Sequence, residues 1–405
     1  MQQKLSALWI VGWFPTKNNP FAGNFIERHA IACSQHSKIH VIHASTHPIF
    51  KAPNQPLDHC LGKNCPYKFF FKSIPQFQWK GLKPLNILMF YALYWIFVLK
   101  VLQQINNVDV LHLHAPDKCG FIGVWLKRKL KKPLVLTEHW AIYNTPVPDH
   151  FLARNWFFKF QMKTVWKHTN VAAQVSDQLH HEMEKIFHSK KPSIHFPNVV
   201  DSLFFETQEK NIELSPFKLV HISNGEPRKN VLLIFESVLA LQSKLKTTVD
   251  FVGFDEHIEA VFSNLFEKVF GESDAPPFWK FHGRKSSSEI RKIFNQVHCL
   301  VMTSSSENAP CVISEALCSN IPVVSSQVGG ISQMIDSENG ILFELKKDVD
   351  GAYNNISNIS ALSESLMLVH AKIANNKYRD IRENAVKVYG AETISSRLYQ
   401  LYLSL

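Results

Sequence analysis

TSSSENAPCVISEALCSNIPVVSSQVGGISQMIDSENGILF, running from Thr303 to Phe343, is the stretch whose reading decides the fold. Leu300 to Met302 ends an apolar run that reads as a buried strand, and Ser304 to Asn308 is turn material. Pro310 can open a helix that turns Ile313, Ala316 and Leu317 inward. Glu307 then stands in the loop at the strand's carboxyl end, and Glu315 in the second turn of the helix. A second apolar strand, Ile321 to Ser325, leads to Gly329-Gly330 at the start of the next turn. Two successive strand, loop, helix units aim their loops at one crevice, the edge of an open parallel sheet where ligands collect and helix N-termini offer unpaired N–H groups.

Taken together, Glu307, Glu315-Ala316-Leu317, Pro322-Val323-Val324, Gly329-Gly330-Ile331 and Asn339-Gly340-Ile341-Leu342 resemble the signature of glycosyltransferase family 4, the retaining nucleotide-sugar transferases. The carboxylate pair alone would be weak, since two surface glutamates are usually solvated charges. The resemblance implies that Glu307 and the loop Asn308-Ala309-Pro310 hold the donor sugar and that Glu315 holds the ribose hydroxyls. An ionised carboxylate suits both tasks, because it only accepts and can take two hydroxyl donors.

Outward from this stretch, 405 residues suggest two or three domains, and 45% apolar residues with 30 Phe argue against disorder. The seven cysteines form neither a disulfide framework nor a paired zinc pattern, although Cys60 and Cys65 stand close together. Residues 1 to 11 lack the features of a secretory signal, so the expected setting is reducing and cytoplasmic. The net charge of +10 is uneven: residues 1–200 carry 24 Lys and Arg against 9 Asp and Glu, whereas residues 201–405 carry 20 against 25. A basic half can meet nucleic acid or an anionic membrane, and with no nucleic-acid motif present the membrane is the expected partner.

In the first half, Leu5 to Val11 reads as a strand, followed by a loop through Pro20, Gly23 and Asn24. Glu27 stands three residues after Asn24, as in a capping box. The loop resembles the family's N-terminal glycine loop, which implies that Gly23 and Asn24 face acceptor and phosphates; an ordinary strand-to-helix turn reads equally well. Val108 to His114 and Pro133 to Thr137 are further strands. Thr137-Glu138-His139 resembles the family motif in which a histidine lies beside the reacting anomeric centre, which makes His139 a catalytic candidate. Pro197 to Asp201 resembles Pro-Asn-Gly-Val-Asp, with Val199 in place of Gly.

The second half opens with Lys218 to Ile222, a loop carrying Arg228 and Lys229, and a helix from Val231 to Leu241. Two cations at a helix start oppose the macrodipole, and a bound diphosphate would supply the reason for them. Lys229-Asn230 matches the family's loop, but Asn224 stands where its arginine usually is. Trp279 to Arg284 resembles the Phe-x-Gly loop that meets the nucleobase, so Arg284 joins the donor-binding candidates. Ser286 to Glu289 is a second capping-box pattern. Helices close the chain, from Ile359 to Ala374 and from Thr393 to Leu403.

Two signals are discounted. Asp348-Val349-Asp350 resembles a metal-binding DxD string, yet it sits between Lys347 and Gly351 in polar sequence, so no metal is expected. Ile87 to Leu99 is the longest apolar run; as a thirteen-residue helix of about 20 Å it falls short of the roughly 30 Å bilayer core. A buried core helix is the simpler reading and a membrane-interface helix the sharper one.

The expected architecture is α/β of the GT-B type: an acceptor-binding Rossmann-like domain over 1–200, a nucleotide-sugar-binding one over 201–385, and a C-terminal helix in 386–405 crossing back to the first, the two domains facing across a cleft. The resemblance implies metal-independent, retaining transfer from a nucleoside-diphosphate sugar, with no further cofactor, to a hydroxyl of a glycan or lipid-linked acceptor. It implies polysaccharide, lipopolysaccharide or glycolipid assembly at the inner face of an anionic membrane. A sugar epimerase or a phosphorylase could use the same fold. The alternative of another class is an inactive nucleotide-sugar-binding partner subunit of a membrane glycan-assembly complex, which Asn224 favours.

Overall fold

The computed structural model describes residues 4–62, 64–144, 150–206, 213–270, 278–347, 353 and 355–405. The Asp348–Asp350 string and part of the polar stretch after Glu206 lie outside them. Contacts divide the chain into two units, one of Met1–Val199 with Ala391–Leu405 and one of Val200–Gly390.

The first unit holds a seven-stranded parallel sheet, β1 (Ser6–Val11), β2 (Lys38–Pro48), β3 (Lys68–Gln76), β4 (Val110–His114), β5 (Leu134–Thr137), β6 (Val171–Gln174) and β7 (Ser193–His195), in the order 3-2-1-4-5-6-7. The second unit repeats the plan with β8 (Phe217–Ile222), β9 (Thr247–Val252), β10 (Trp279–Phe281), β11 (Cys299–Met302), β12 (Val323–Ser326) and β13 (Gly340–Phe343), in the order 10-9-8-11-12-13. Both are doubly wound sheets. The order in which strands are added reverses between β1 and β4 in one and between β8 and β11 in the other, the switch points where such folds bind ligands. The central strands are buried on both faces, which is why Ala7–Val11 and Cys299–Met302 read as unbroken apolar runs.

The C-terminal helix Ala391–Leu403 belongs to the first unit. Its Tyr402 hydroxyl accepts from Trp9 Nε1 at 3.0 Å and meets His112 Nδ1 at 2.6 Å, while Arg397 donates to the His195 carbonyl at 2.9 Å.

Two expectations are corrected here. The apolar run belongs to a longer helix, Lys83–Leu102, of 20 residues and so about 30 Å, with mean hydropathy 1.9 and only 22% of its best window buried. Phe90, Tyr94, Val98 and Val101 face the protein, whereas Leu88, Trp95 and Ile96 are exposed. It is therefore long enough to cross a membrane, and it is not a core helix; the flanking Lys83-Pro84 and Lys100 had hidden its extent. The helix Asn24–Cys33 starts without the capping box expected at Asn24 and Glu27: Gly23 is its N-cap at φ 70, with no side-chain cap. A Cβ on Gly23 would lie 2.7 Å from the Trp13 backbone, so this turn requires glycine for its own geometry. The second capping box, Ser286 with Glu289, is formed.

Candidate functional site

In the second unit the loops after β8 and β11 meet at the switch point. Asn230, at φ 49, caps the helix Val231–Leu241, and the preceding turn Pro227–Lys229 leans on the β11 loop. Ser305 N–H donates to the Arg228 carbonyl at 2.8 Å, and Thr303 Oγ1 donates to the Lys229 and Asn230 carbonyls, each at 2.9 Å. This stitching fixes the two loops as one body.

On that body Lys229 Nζ donates to Glu307 Oε1 in a tight ion pair, both side chains nearly buried. Arg228 lies 3.6 Å from the other oxygen of Glu307 and donates to the Ser306 carbonyl at 3.4 Å. Its Nε is held by Glu226 at 2.7 Å, and Asn224 donates to Glu226 at 2.7 Å. The chain Asn224, Glu226, Arg228 thus delivers a guanidinium to the carboxylate that Lys229 also grips, which sequence register alone could not place. The two cations have a protein partner, Glu307, so their position does not by itself require a ligand.

Pro310 caps the helix Cys311–Cys318, which carries Glu315, buried, in its second turn. Asn308 is buried beside it, and Ala309 completes the loop. Pro310 has no N–H, so it offers a ligand no hydrogen-bond donor. Ser304 Oγ, Ser306 Oγ and Asn230 Nδ2 are buried without a hydrogen-bond partner among the described residues. Three such polar atoms around one loop pair each call for a partner, which water, an ion or a polar ligand can supply. Serines in a turn carried no signal of this in the sequence. Arg284 is not part of this group. It lines an open pocket of about 660 Å³ further along the same edge, after β10, with Phe254, Phe281, His282 and Gly283 and three carboxylates, Asp255, Glu256 and Glu259. Glu259 accepts from Gly283 N–H at 3.1 Å.

In the first unit His139 follows β5, half-buried. Its ring stacks 5.8 Å from that of His114 and 4.6 Å from Phe25, with His29 at 6.1 Å. Burial, then neighbouring His29 and His112, holds its imidazole well below the usual range, so it is neutral at physiological pH. Glu138, buried beneath it, accepts from the N–H groups of His139 at 2.8 Å and Trp140 at 3.0 Å and from the Tyr143 hydroxyl at 3.2 Å. Burial pushes its carboxyl up to about 7, partly offset by those donors. His29 comes from the helix Asn24–Cys33, and His112 and His114 both come from β4; sequence reasoning likened the β4 strand to the family but gave these histidines no role, and it did not single out His29. Gly23 and Asn24 lie at the carboxyl edge of the same sheet.

Comparison with known proteins finds related chains and a shared fold. The family model described as Glycosyltransferase Family 4 matches residues 73–202, and that described as Glycosyl transferases group 1 matches 204–386. An uncharacterized glycosyltransferase of Methanocaldococcus jannaschii is 22% identical over 60% of the chain and 64% of its own length. The sulfoquinovosyl transferase of Arabidopsis thaliana is 23% identical over 58% of the chain and 46% of its own length, so the matches span under two thirds of both relatives. A Bacillus subtilis glycosyltransferase, provisionally named for teichuronic acid biosynthesis, is 24% identical over 84% of the chain and 86% of its own length. Among solved structures, the Anabaena protein HepE in complex with UDP superposes with a TM-score of 0.70 at 15% identity, covering 99% of this chain and 100% of that one. With two parallel-sheet Rossmann-like units of the GT-B type and both halves matched, the chain belongs to glycosyltransferase family 4.

Proposed function

We propose that the protein transfers a sugar from a nucleoside-diphosphate sugar to a hydroxyl of a glycan or lipid-linked acceptor, with retention of anomeric configuration and without a metal. The observation that carries this reading is the joined loop pair after β8 and β11, where Lys229, Arg228 and Glu307 converge beside three unpartnered polar atoms. Lys229 and Arg228 stabilise the departing diphosphate, Glu307 and the Asn308-Ala309 loop orient the sugar, Glu315 takes the ribose, and Arg284 lies toward the base. Stabilising departing charge is where such a site gains most. Neutral His139, on the first unit, keeps the catalytic role that its motif implies. No carboxylate is assigned as a covalent nucleophile, so attack on the face of the leaving group, with its phosphate assisting proton removal, is the mechanism we adopt.

The reading is tested by thermal shift against a panel of nucleotide sugars, where a donor at about 100 times its Kd adds roughly 2.7 kcal/mol of stability. Stabilisation by none would refute it; for the donor that binds, the anomeric signal of the product by NMR decides retention, and turnover unchanged by magnesium or manganese supports a metal-free site. HepE, solved with UDP-glucose, makes that donor the first to try.

The acceptor reading rests on the helix Lys83–Leu102. Its exposed Leu88, Trp95 and Ile96, with exposed Trp79, Trp156 and Phe160 nearby in sequence or on the packed neighbouring helix, lie in a basic half that has no carboxylate between Asp58 and Asp109. One face of this helix is committed to protein contacts, Tyr91 on Phe121 and Phe157, which favours lying in the headgroup layer of an anionic membrane at the cytoplasmic side. Liposome flotation should require anionic lipid and weaken when Lys68, Lys72 and Lys83 become Ser. Equal recovery with neutral vesicles, or none with either, would move the acceptor into solution. Asn224 is the one feature favouring an inactive partner subunit, and the position of Arg228 beside Glu307 weighs against it.

A further inference from the structure

Glu27, freed from the capping role its spacing suggests, turns away from Asn24 toward the segment Asp58–Tyr67. One of its oxygens, Oε1, receives His59 Nε2 at 2.7 Å, the Tyr67 hydroxyl at 2.6 Å and Cys60 Sγ at 3.2 Å. The ligand-type atoms of Glu27, His59 and Cys60 all lie within 4.8 Å of one another. Tyr67 also reaches Cys60 Sγ at 3.4 Å. Cys65 stands close enough to interact electrostatically with both Glu27 and Cys60, although its sulfur is not one of this mutually close group. Both cysteines are free thiols.

Two physical points argue that this cluster is more than a hydrogen-bond network. Three donors converge on a single carboxylate oxygen, which has about two lone-pair sites. An imidazole and thiols are also an unusual set to gather around a buried glutamate, which has no Lys or Arg partner among the described residues. When a bound cation displaces the thiol protons to solvent, the carboxylate, the imidazole and the thiolates become its ligands and the crowding is relieved.

We propose that Glu27, His59 and Cys60, joined by the nearby Cys65 as fourth ligand, form a structural site for a zinc-class divalent ion. One oxygen, one nitrogen and two sulfurs suit tetrahedral zinc, and the sulfurs disfavour magnesium and calcium. Cys60 and Glu27 are buried, which shields the site, while the His59 side chain is largely exposed and gives the ion a way in. The ion fastens the segment preceding edge strand β3 to the helix Asn24–Cys33, the helix that begins at Gly23. Its role is to hold that loop in place, separate from the chemistry proposed for the second unit.

The full-length protein, purified without chelator from zinc-supplemented cells, is analysed for metal, and the chelated protein is reloaded with cobalt(II). The expected results are roughly one zinc per chain, a thiolate-to-cobalt charge-transfer band, and a thermal midpoint that falls on chelation and returns with zinc. His59→Gln and Cys65→Ser, at exposed and half-exposed positions, should keep the fold and each weaken zinc retention at least about tenfold in competition with a chromogenic chelator. No stoichiometric zinc, or zinc that both variants retain like the parent, would overturn the proposal, the latter by placing the metal elsewhere.

Discussion

The ion pair between Lys229 and Glu307 makes an asymmetric prediction about the two variants that break it. With 12% and 8% of the two side chains exposed, removal of one partner belongs to the buried-pair regime, where an uncompensated charge costs about 3 to 5 kcal/mol. Arg228, 3.6 Å from the other oxygen of Glu307, still compensates that carboxylate when Lys229 is lost, so Lys229→Ala should cost near the lower end of the range. Binding of a free nucleoside diphosphate divides the variants. Lys229→Ala loses a charge-assisted bond, about 1.5 to 3 kcal/mol, or roughly 10- to 150-fold in Kd. Glu307→Gln keeps the shape, releases Lys229 from its competitor and removes a negative charge near the diphosphate. A gain of about 1 kcal/mol, roughly fivefold tighter binding, is expected. Single turnover of the complete donor should nevertheless fall, since one of the two oxygens that accept from the sugar has become an NH2 donor and the charge that strengthens those bonds is gone. Titration calorimetry with the diphosphate alone and rapid-quench turnover with the nucleotide sugar measure the two effects separately. If Glu307→Gln weakens the diphosphate as much as Lys229→Ala does, Glu307 positions the lysine for the ligand and does not compete with it, and the reasoning fails.

Glu315→Ala should weaken donor binding by about 1.5 to 3 kcal/mol with the fold intact, and unchanged affinity by calorimetry would remove the ribose assignment. His139→Ala should lower kcat by about 100-fold at an unchanged thermal midpoint; because burial keeps the imidazole neutral, the parent's pH profile should show no limb from it near 6.5. A loss of stability with normal kcat in the remaining folded enzyme would make that histidine structural. Glu138 gives a stability test. Its carboxyl is raised from 4.5 to about 7, so between those values the native state keeps a proton that the unfolded chain has released. Its contribution is therefore fully present below about pH 4.5 and lost as pH rises through about 7, a change of roughly 3 kcal/mol. Denaturation of the parent relative to Glu138→Gln should show that difference across the window, and parallel curves would contradict it.

What could be read from the sequence was what is written locally. The strands β1, β8 and β11 are buried on both faces, and their apolar runs announce them without help from elsewhere. Ser286 and Glu289 satisfy each other within one turn, so their spacing was enough. The same spacing at Asn24 and Glu27 failed because Glu27 has better partners more than thirty residues away. The helix Lys83–Leu102 escaped correct measurement for another reason: it is apolar nearly all round, so no helical period marked where it began or which side it buried.

The candidate site divides along the same line. Glu307 and Glu315 share one strand, loop and helix, and a fixed interval places them. The partner of Glu307 comes from a loop 78 positions earlier, and the tip of Arg228 is set by Asn224 and Glu226 acting in series. Asn224 itself shows the limit of reading by position. Judged alone, it is a lost arginine; within its loop, it steadies the glutamate that aims a different arginine at the same carboxylate. Replacing Asn224 by Arg would therefore add a charge while releasing Glu226, and the two effects oppose each other. A residue that departs from its family's pattern has to be judged by the charge its whole loop delivers to the site, and here that loop still delivers two cations to Glu307.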